Sequence, residues 1–171
     1  MNVMESVQNR FSVRSYLQKS VEPERLQRLL EAARLAPSAS NLQEWRFVVV
    51  TNEGTRERLM HAAQEQRFVG EAPVVIAACA EDVEHVMPCG QLSHPIDVAI
   101  ALEHIALQAV DEGLGTCWIG AFDEAQVKEI LGIPDEVRVV QLMTVGYPAV
   151  APGPKTRKPL NEIVMYERWG K

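Results

Sequence analysis

Near the start of the chain, Arg10, Ser12 and Arg14 alternate within an extended segment, RFSVRSY, and a two-residue period sends alternate side chains to one side. Two guanidinium groups and a hydroxyl on one face form a fork suited to a phosphate, because a guanidinium grips a pair of oxygens through two parallel charge-assisted hydrogen bonds. The same triplet also reads as solvated surface charge. The chain contains no GKS or GKT phosphate loop, no GxSxG elbow and no HExxH. GLGTCWIG has dinucleotide-like glycines, but it follows a predicted helix and enters a predicted strand, the reverse of the strand-to-helix context that a dinucleotide fingerprint needs. His85, Cys89 and His94 can be drawn as metal ligands, yet their spacing matches no zinc pattern and a fourth ligand is not evident, so a polar loop without metal is expected.

The elements that must position the fork are readable from periodicity. A short first helix is expected over Asn2 to Phe11, before the extended segment. A second begins at Pro23, where Leu26, Leu29, Leu30 and Ala33 share one face, and ends near Pro37. The loop APSASNLQEW leads into a β-rich run, WRFVVV, and another helix is expected from Thr55 to about Gln64. APVVIAACA has the continuous apolar character of a central strand covered on both faces. The longest helix starts at Pro95, carries Ile96, Ile100, Ala101, Ile105 and Ala109 on a wide apolar face and stops at Gly113. Such a face must be buried on several sides, by a dimer interface or by a fully internal position. Asp123 with Gln126 has the form of a capping box for EAQVKEIL, with Gly132 as its stop, and VRVVQLMTVGYP is the last strong strand. Beyond Pro148 the chain is rich in Pro and Gly before turning apolar at IVMY, and it reads as an arm.

Bulk properties narrow the class. The chain has 171 residues, 47% hydrophobic and 23% charged, which is enough for one core without disulfides or a structural metal. A net charge of −6 with scattered positive charge argues against nucleic-acid or acidic-membrane partners. The first ten residues lack the apolar core of a signal peptide, and the run Ala72 to Ala80 is far too short to span a bilayer, so a cytoplasmic protein is expected. Cys79, Cys89 and Cys117 are odd in number and widely spaced, as expected of reduced thiols.

RFSVRSY, APSASNLQEWRF, GLGTCWIGAF, and VGYP followed by KTRKPL resemble, in order and spacing and over nearly the whole chain, the signature segments of the FMN-dependent nitroreductase family. The resemblance implies an α+β fold, a three-layer α-β-α sandwich with a mixed, mainly antiparallel central sheet. It further implies an FMN-binding domain over residues 1–150 and an extended arm over 151–171 exchanged in a homodimer. Arg10, Phe11, Ser12 and Arg14 match the first flavin-binding segment, with Arg10 and Ser12 on phosphate or ribityl and Arg14 near the pyrimidine. Lys155 and Arg157 match late basic residues that close on the phosphate. Pro37, Ser38, Ala39, Ser40 and Asn41 match a loop that reaches the flavin from the other subunit, Ile119, Gly120 and Ala121 match the backbone facing its N5 edge, and Gln66 is a further candidate contact. The chain departs from the family at Phe11, where a second basic residue is common, and at Gly120, where several members carry Glu. It is also short between Glu81 and His94, where larger members insert helices, which implies a more open or differently lidded pocket.

What the resemblance implies chemically is a ping-pong cycle. NADH or NADPH delivers hydride to the flavin and leaves, and a small electron-poor acceptor such as a nitroaromatic or a quinone then takes its place. Arg14 would stabilise the negative charge that reduction creates. A non-catalytic FMN store of the same fold explains the same grip, and an acidic α/β interaction module is the reading without the resemblance.

Overall fold

The computed structural model describes residues 1–170. Four runs rich in β-branched residues form strands: β1 (Trp45–Val50), β2 (Val74–Ala80), β3 (Gly115–Ile119) and β4 (Arg138–Gly146). They make one sheet in the order β1-β2-β4-β3 with every neighbouring pair antiparallel. The mixed character enters through an isolated parallel bridge between Ser12 and Thr116. All seven residues of the interior strand β2 are buried. Their period of two divides them between two cores, with Val75, Ala77 and Cys79 on one face and Val74, Ile76, Ala78 and Ala80 on the other.

Helices cover both faces, which yields three layers. On one side lie α1 (Val3–Asn9), α2 (Pro23–Arg34) and α5 (His94–Asp111); on the other lie α3 (Glu53–Ala62), α4 (Arg67–Glu71) and α6 (Glu124–Leu131). The first helix is shorter than Asn2 to Phe11 because Asn2 is its cap, in a capping box with Glu5, and Arg10 is already extended. The third begins at Glu53 rather than Thr55, since the Asn52 side chain accepts the Thr55 N–H and starts the helix earlier. Asp123 caps α6 by accepting the Gln126 N–H, and Gly132 ends it in the left-handed region.

Along α5, Val98, Ala101, Leu102, Ile105, Ala106 and Ala109 are fully buried, but Ile96, expected on that face, remains 42% exposed. The arm after Pro148 is mostly exposed and includes a single helical turn, α7 (Leu160–Ile163), within the stretch expected to be extended. Its Tyr166 and Trp169 lie 82% and 91% open, large apolar surfaces with nothing of their own chain to cover them.

Candidate functional site

The segment from Arg10 to Tyr16 is laid along the edge of the sheet. The Val13 N–H donates to the Thr116 carbonyl at 2.9 Å, Ser12 bridges Thr116, and Tyr16 bridges Pro148. The Tyr16 hydroxyl anchors the turn by donating to the Val13 carbonyl at 2.9 Å and sharing a 2.7 Å hydrogen bond with Thr144 Oγ1. Burial raises the Tyr16 pKa, so it remains a neutral donor. Val13 is fully buried between exposed Ser12 and Arg14, as the two-residue period requires.

Cations gather beside this segment. The Lys155 ammonium donates to the Val7 carbonyl at 3.1 Å and to the Gln8 carbonyl, at the C-terminal end of α1. Its pKa is lowered by partial desolvation and then by the positive charges of Arg10 and Arg157. Lys155 therefore lies close enough to Arg10 and to Arg157 to be repelled by both. Arg10 finds partial compensation in Glu103 of α5, 3.6 Å away, while Arg157 donates to the neighbouring Thr156 carbonyl at 2.8 Å.

Arg14 lies on the side of the segment nearer α4, its guanidinium carbon 5.9 Å from the centre of the Phe68 ring. Burial raises the pKa of the Cys117 thiol in the middle of β3, with the nearby Arg14 charge and Ser12 acting the other way. At the exit of β3, Ile119 is buried and Gly120 and Ala121 are exposed. Gln66 braces this stretch by donating to the Ala121 carbonyl at 3.1 Å and the Ala63 carbonyl at 2.8 Å. Phe11 packs against the sheet core.

The loop Pro37 to Asn41 stands apart from these residues. Ala39–Asn41 form one 3-10 turn in which Ser40 and Asn41 have φ of 49° and 57°, and Gln43 follows at 53°. Three non-glycine residues in the left-handed region cost about 1–2 kcal/mol each, so the surroundings must hold them there. Asp97 Oδ2 accepts the Ala39 N–H at 3.0 Å and Ser38 Oγ accepts the Gln43 N–H at 3.0 Å. The loop leads into β1, at the opposite sheet edge from the β3 edge that carries Ser12, three strand spacings or about 14 Å away. Its anchor Asp97 and the Arg10 partner Glu103 are six residues apart on α5, so their side chains point in directions about 120° apart. Arg10, Ser12, Arg14 and the β3 exit thus lie along the β3 edge of the sheet, with Arg10 and Lys155 toward α5 and α1 and Arg14 and Gln66 toward α4, while the Pro37 to Asn41 loop leads into the opposite edge.

A 530 Å³ cavity lies elsewhere, lined by Gln18, Arg56, Glu57, Met60 and Arg67 among others. Arg56 there donates to the Gly70 and Ala72 carbonyls and is already committed. Among the described residues no group of three or more His, Cys, Asp or Glu could hold a metal ion. No helix among them is long and apolar enough to cross a membrane.

The nitroreductase family model matches residues 7–84 and 60–147. The chain belongs to the nitroreductase family. A Thermus thermophilus NADH dehydrogenase is 32% identical over 188 residues, covering 92% of this nitroreductase-family chain and 92% of its own. A nitroreductase family protein from Clostridium difficile superposes with a TM-score of 0.88 at 33% identity, over 98% of this chain and 99% of that one. The Vibrio harveyi NADPH:FMN oxidoreductase in complex with NAD+ gives a TM-score of 0.90 at 27% identity, over 100% of this chain and 79% of that one.

Four residues of this nitroreductase-family site escaped sequence reasoning: Phe68 under Arg14, Glu103 beside Arg10, Asp97 behind the loop and Glu44 next to Asp97. Glu103 and Asp97 did carry a signal, as carboxylates in the interior of a mostly apolar helix. Phe68 sits in a helix of five residues, too short to show a period.

Proposed function

We propose that the protein is an FMN-dependent oxidoreductase that takes hydride from NADH or NADPH and passes it to small electron-poor acceptors, nitroaromatics and quinones among them. The observation that carries this reading is the Lys155 ammonium held on the Val7 and Gln8 carbonyls, next to the segment that bears Arg10 and Ser12 and near enough to Arg10 and Arg157 to feel both charges. Repelling cations with one partly exposed carboxylate for compensation fit a phosphate dianion, which would neutralise them through charge-assisted hydrogen bonds. Arg14 over the Phe68 ring, next to the braced backbone at Gly120 and Ala121, fits the flat, polar-edged end of the same cofactor. Bound FMN supplies the redox chemistry, accepting and donating hydride, so the chain needs no acid, base or nucleophile of its own. The names of the Thermus and Vibrio relatives point the same way.

The site is completed by a second copy of the chain. The Pro37 to Asn41 loop leads into the sheet edge opposite the one that carries Ser12, and the uncovered Tyr166 and Trp169 suit an arm, residues 151–171, that packs on a partner. A sedimentation measurement is expected to find a yellow dimer, and a monomer that is yellow and active would overturn the dimeric site.

Purified protein is expected to show FMN bands in its visible spectrum and to oxidise NADH or NADPH in the presence of a quinone or nitroarene. A yellow protein that leaves both nicotinamides unoxidised would be an FMN store. A colourless protein that takes up no FMN would end the flavin reading. Replacing Arg10 by Ala is expected to weaken FMN about 10- to 100-fold, the worth of one hydrogen bond between charged groups, in a fluorescence-quenching titration.

A further inference from the structure

Behind the Pro37 to Asn41 loop is a closed polar cluster that the proposed chemistry does not use: Glu44, Ser93, His94 and Asp97, each more than nine-tenths buried. Ser93 Oγ donates to Glu44 Oε1 at 3.3 Å, and Asp97 Oδ2 accepts the Ala39 N–H at 3.0 Å. Glu44 Oε2 is buried with no donor facing it, and Glu44 reaches the N-terminal turn of α5 at Ser93, one turn before Asp97, whose N–H donates to the Ser93 carbonyl at 2.9 Å. Two ionised carboxylates cannot share such a space, and a buried acceptor left without a donor is costly.

The cluster contains no cation that could settle the account. His94 Nδ1 is also without a partner, and burial, followed by the charge of Arg138, lowers its pKa and keeps the ring neutral, with Asp82 and Asp97 acting the other way. Arg46 and Glu81 are ion-paired with each other, and the Glu81 N–H donates to the Glu44 backbone carbonyl at 3.0 Å. Arg138 is paired with Glu124. What remains is a proton.

We propose that Glu44 and Asp97 share one proton, Glu44 Oε2 donating it to Asp97, and that this carboxyl–carboxylate pair positions the flavin-contacting loop through the Ala39 N–H. The role of the loop rests on the function proposed above; the pair itself does not. Asp97, in the first turn of α5, is the acceptor of the pair, since its Oδ2 already accepts the Ala39 N–H. Burial, together with the hydrogen bond to Asp97, raises the pKa of Glu44. A raised value means that the arrangement is complete at lower pH and is lost as pH rises through the folded-state value of Glu44. The second ionisation then sets two buried carboxylates against each other and frees the loop.

Amide hydrogen exchange over residues 37–43 and FMN affinity, both followed from about pH 6 to about pH 9, test the pair. In the wild-type protein the protection factor of the Ala39 amide is expected to fall about tenfold across that range, a change equivalent to one pKa unit. In Glu44→Gln, whose amide donates to Asp97 at every pH, protection should be flat. Asp97→Ala should be unprotected throughout. Parallel loss in wild type and Glu44→Gln overturns the shared proton, whatever FMN does, and that comparison stands even if Asp97→Ala does not fold. The contrasting protection pattern without FMN binding would uphold the pair and refute the flavin reading instead.

Discussion

Arg14→Ala is expected to slow reduction of the bound cofactor by NADH or NADPH about a hundredfold while changing FMN affinity less than tenfold. Among the described residues Arg14 takes part in no ion pair. Its guanidinium is held instead over the Phe68 ring at 5.9 Å, on a backbone fixed to Thr116 by the neighbouring Val13 N–H. A cation placed in advance, uncompensated and beside an aromatic wall, does most where negative charge appears during the reaction. Two-electron reduction puts that charge on the pyrimidine edge, and removing one preoriented donor from such a position costs about 3 kcal/mol. Binding depends on a different set, Arg10, Ser12, Lys155 and Arg157, which is why rate and affinity should separate. Arg14→Lys, which keeps the charge but not the planar fork, should fall between. Stopped-flow absorbance measures the rate, and an Ala variant reduced as fast as wild type would remove Arg14 from the electrostatics.

Sequence patterns reached this site unevenly, for reasons visible in particular residues. The alternation at Ser12, Val13 and Arg14 survives because a buried Val13 fixes the side on which its neighbours emerge. β2 was legible because a strand covered on both faces needs apolar residues at every position, and all seven are buried. Ile96 misled because the apolar stripe of a helix does not say which of its flanks another element of the same chain will cover, and this one is 42% exposed. The strained loop was read as a loop from its Ser, Asn and Pro content, but the left-handed φ angles at Ser40, Asn41 and Gln43 depend on a hydrogen bond from Ala39 to Asp97, 58 positions away. Contacts of that separation leave no local trace. The separation of the Pro37 to Asn41 loop from the β3 edge was readable only through the family resemblance and not from the residues themselves, since strand order β1-β2-β4-β3 is set by packing and not by any one segment.

The placement of the fork depends on two glycines that face each other across β3 and β4, and Gly115→Ala is expected to lower stability by about 3 kcal/mol and to weaken FMN with it. A Cβ at Gly115 would lie 2.3 Å from Val13 Cγ2 and 2.9 Å from Pro148 Cγ. At its partner Gly146 a Cβ would lie 2.5 Å from Pro73 Cδ and 2.8 Å from Tyr16 Cδ1. Val13 is fully buried and has no room to turn away, so the strain must be relieved by lifting the Arg10 to Tyr16 segment off the sheet. Stability and cofactor affinity should therefore fall together, unlike the Arg10 and Arg14 variants, in which the segment stays down. For a chain of this size the expected loss corresponds to a melting temperature lower by about 6–12 °C. Gly54→Ala is the control, because its Cβ meets its nearest neighbour, Asn52 Oδ1, at an ordinary 3.5 Å and should leave the melting temperature unchanged. Adding Val13→Ala to Gly115→Ala removes the 2.3 Å contact but not the one to Pro148, so the double variant should recover part of the stability and most of the FMN affinity. If Gly115→Ala melts with the wild type while losing FMN, the glycine serves the cofactor directly and the close approach of Val13 is not what holds the fork in place.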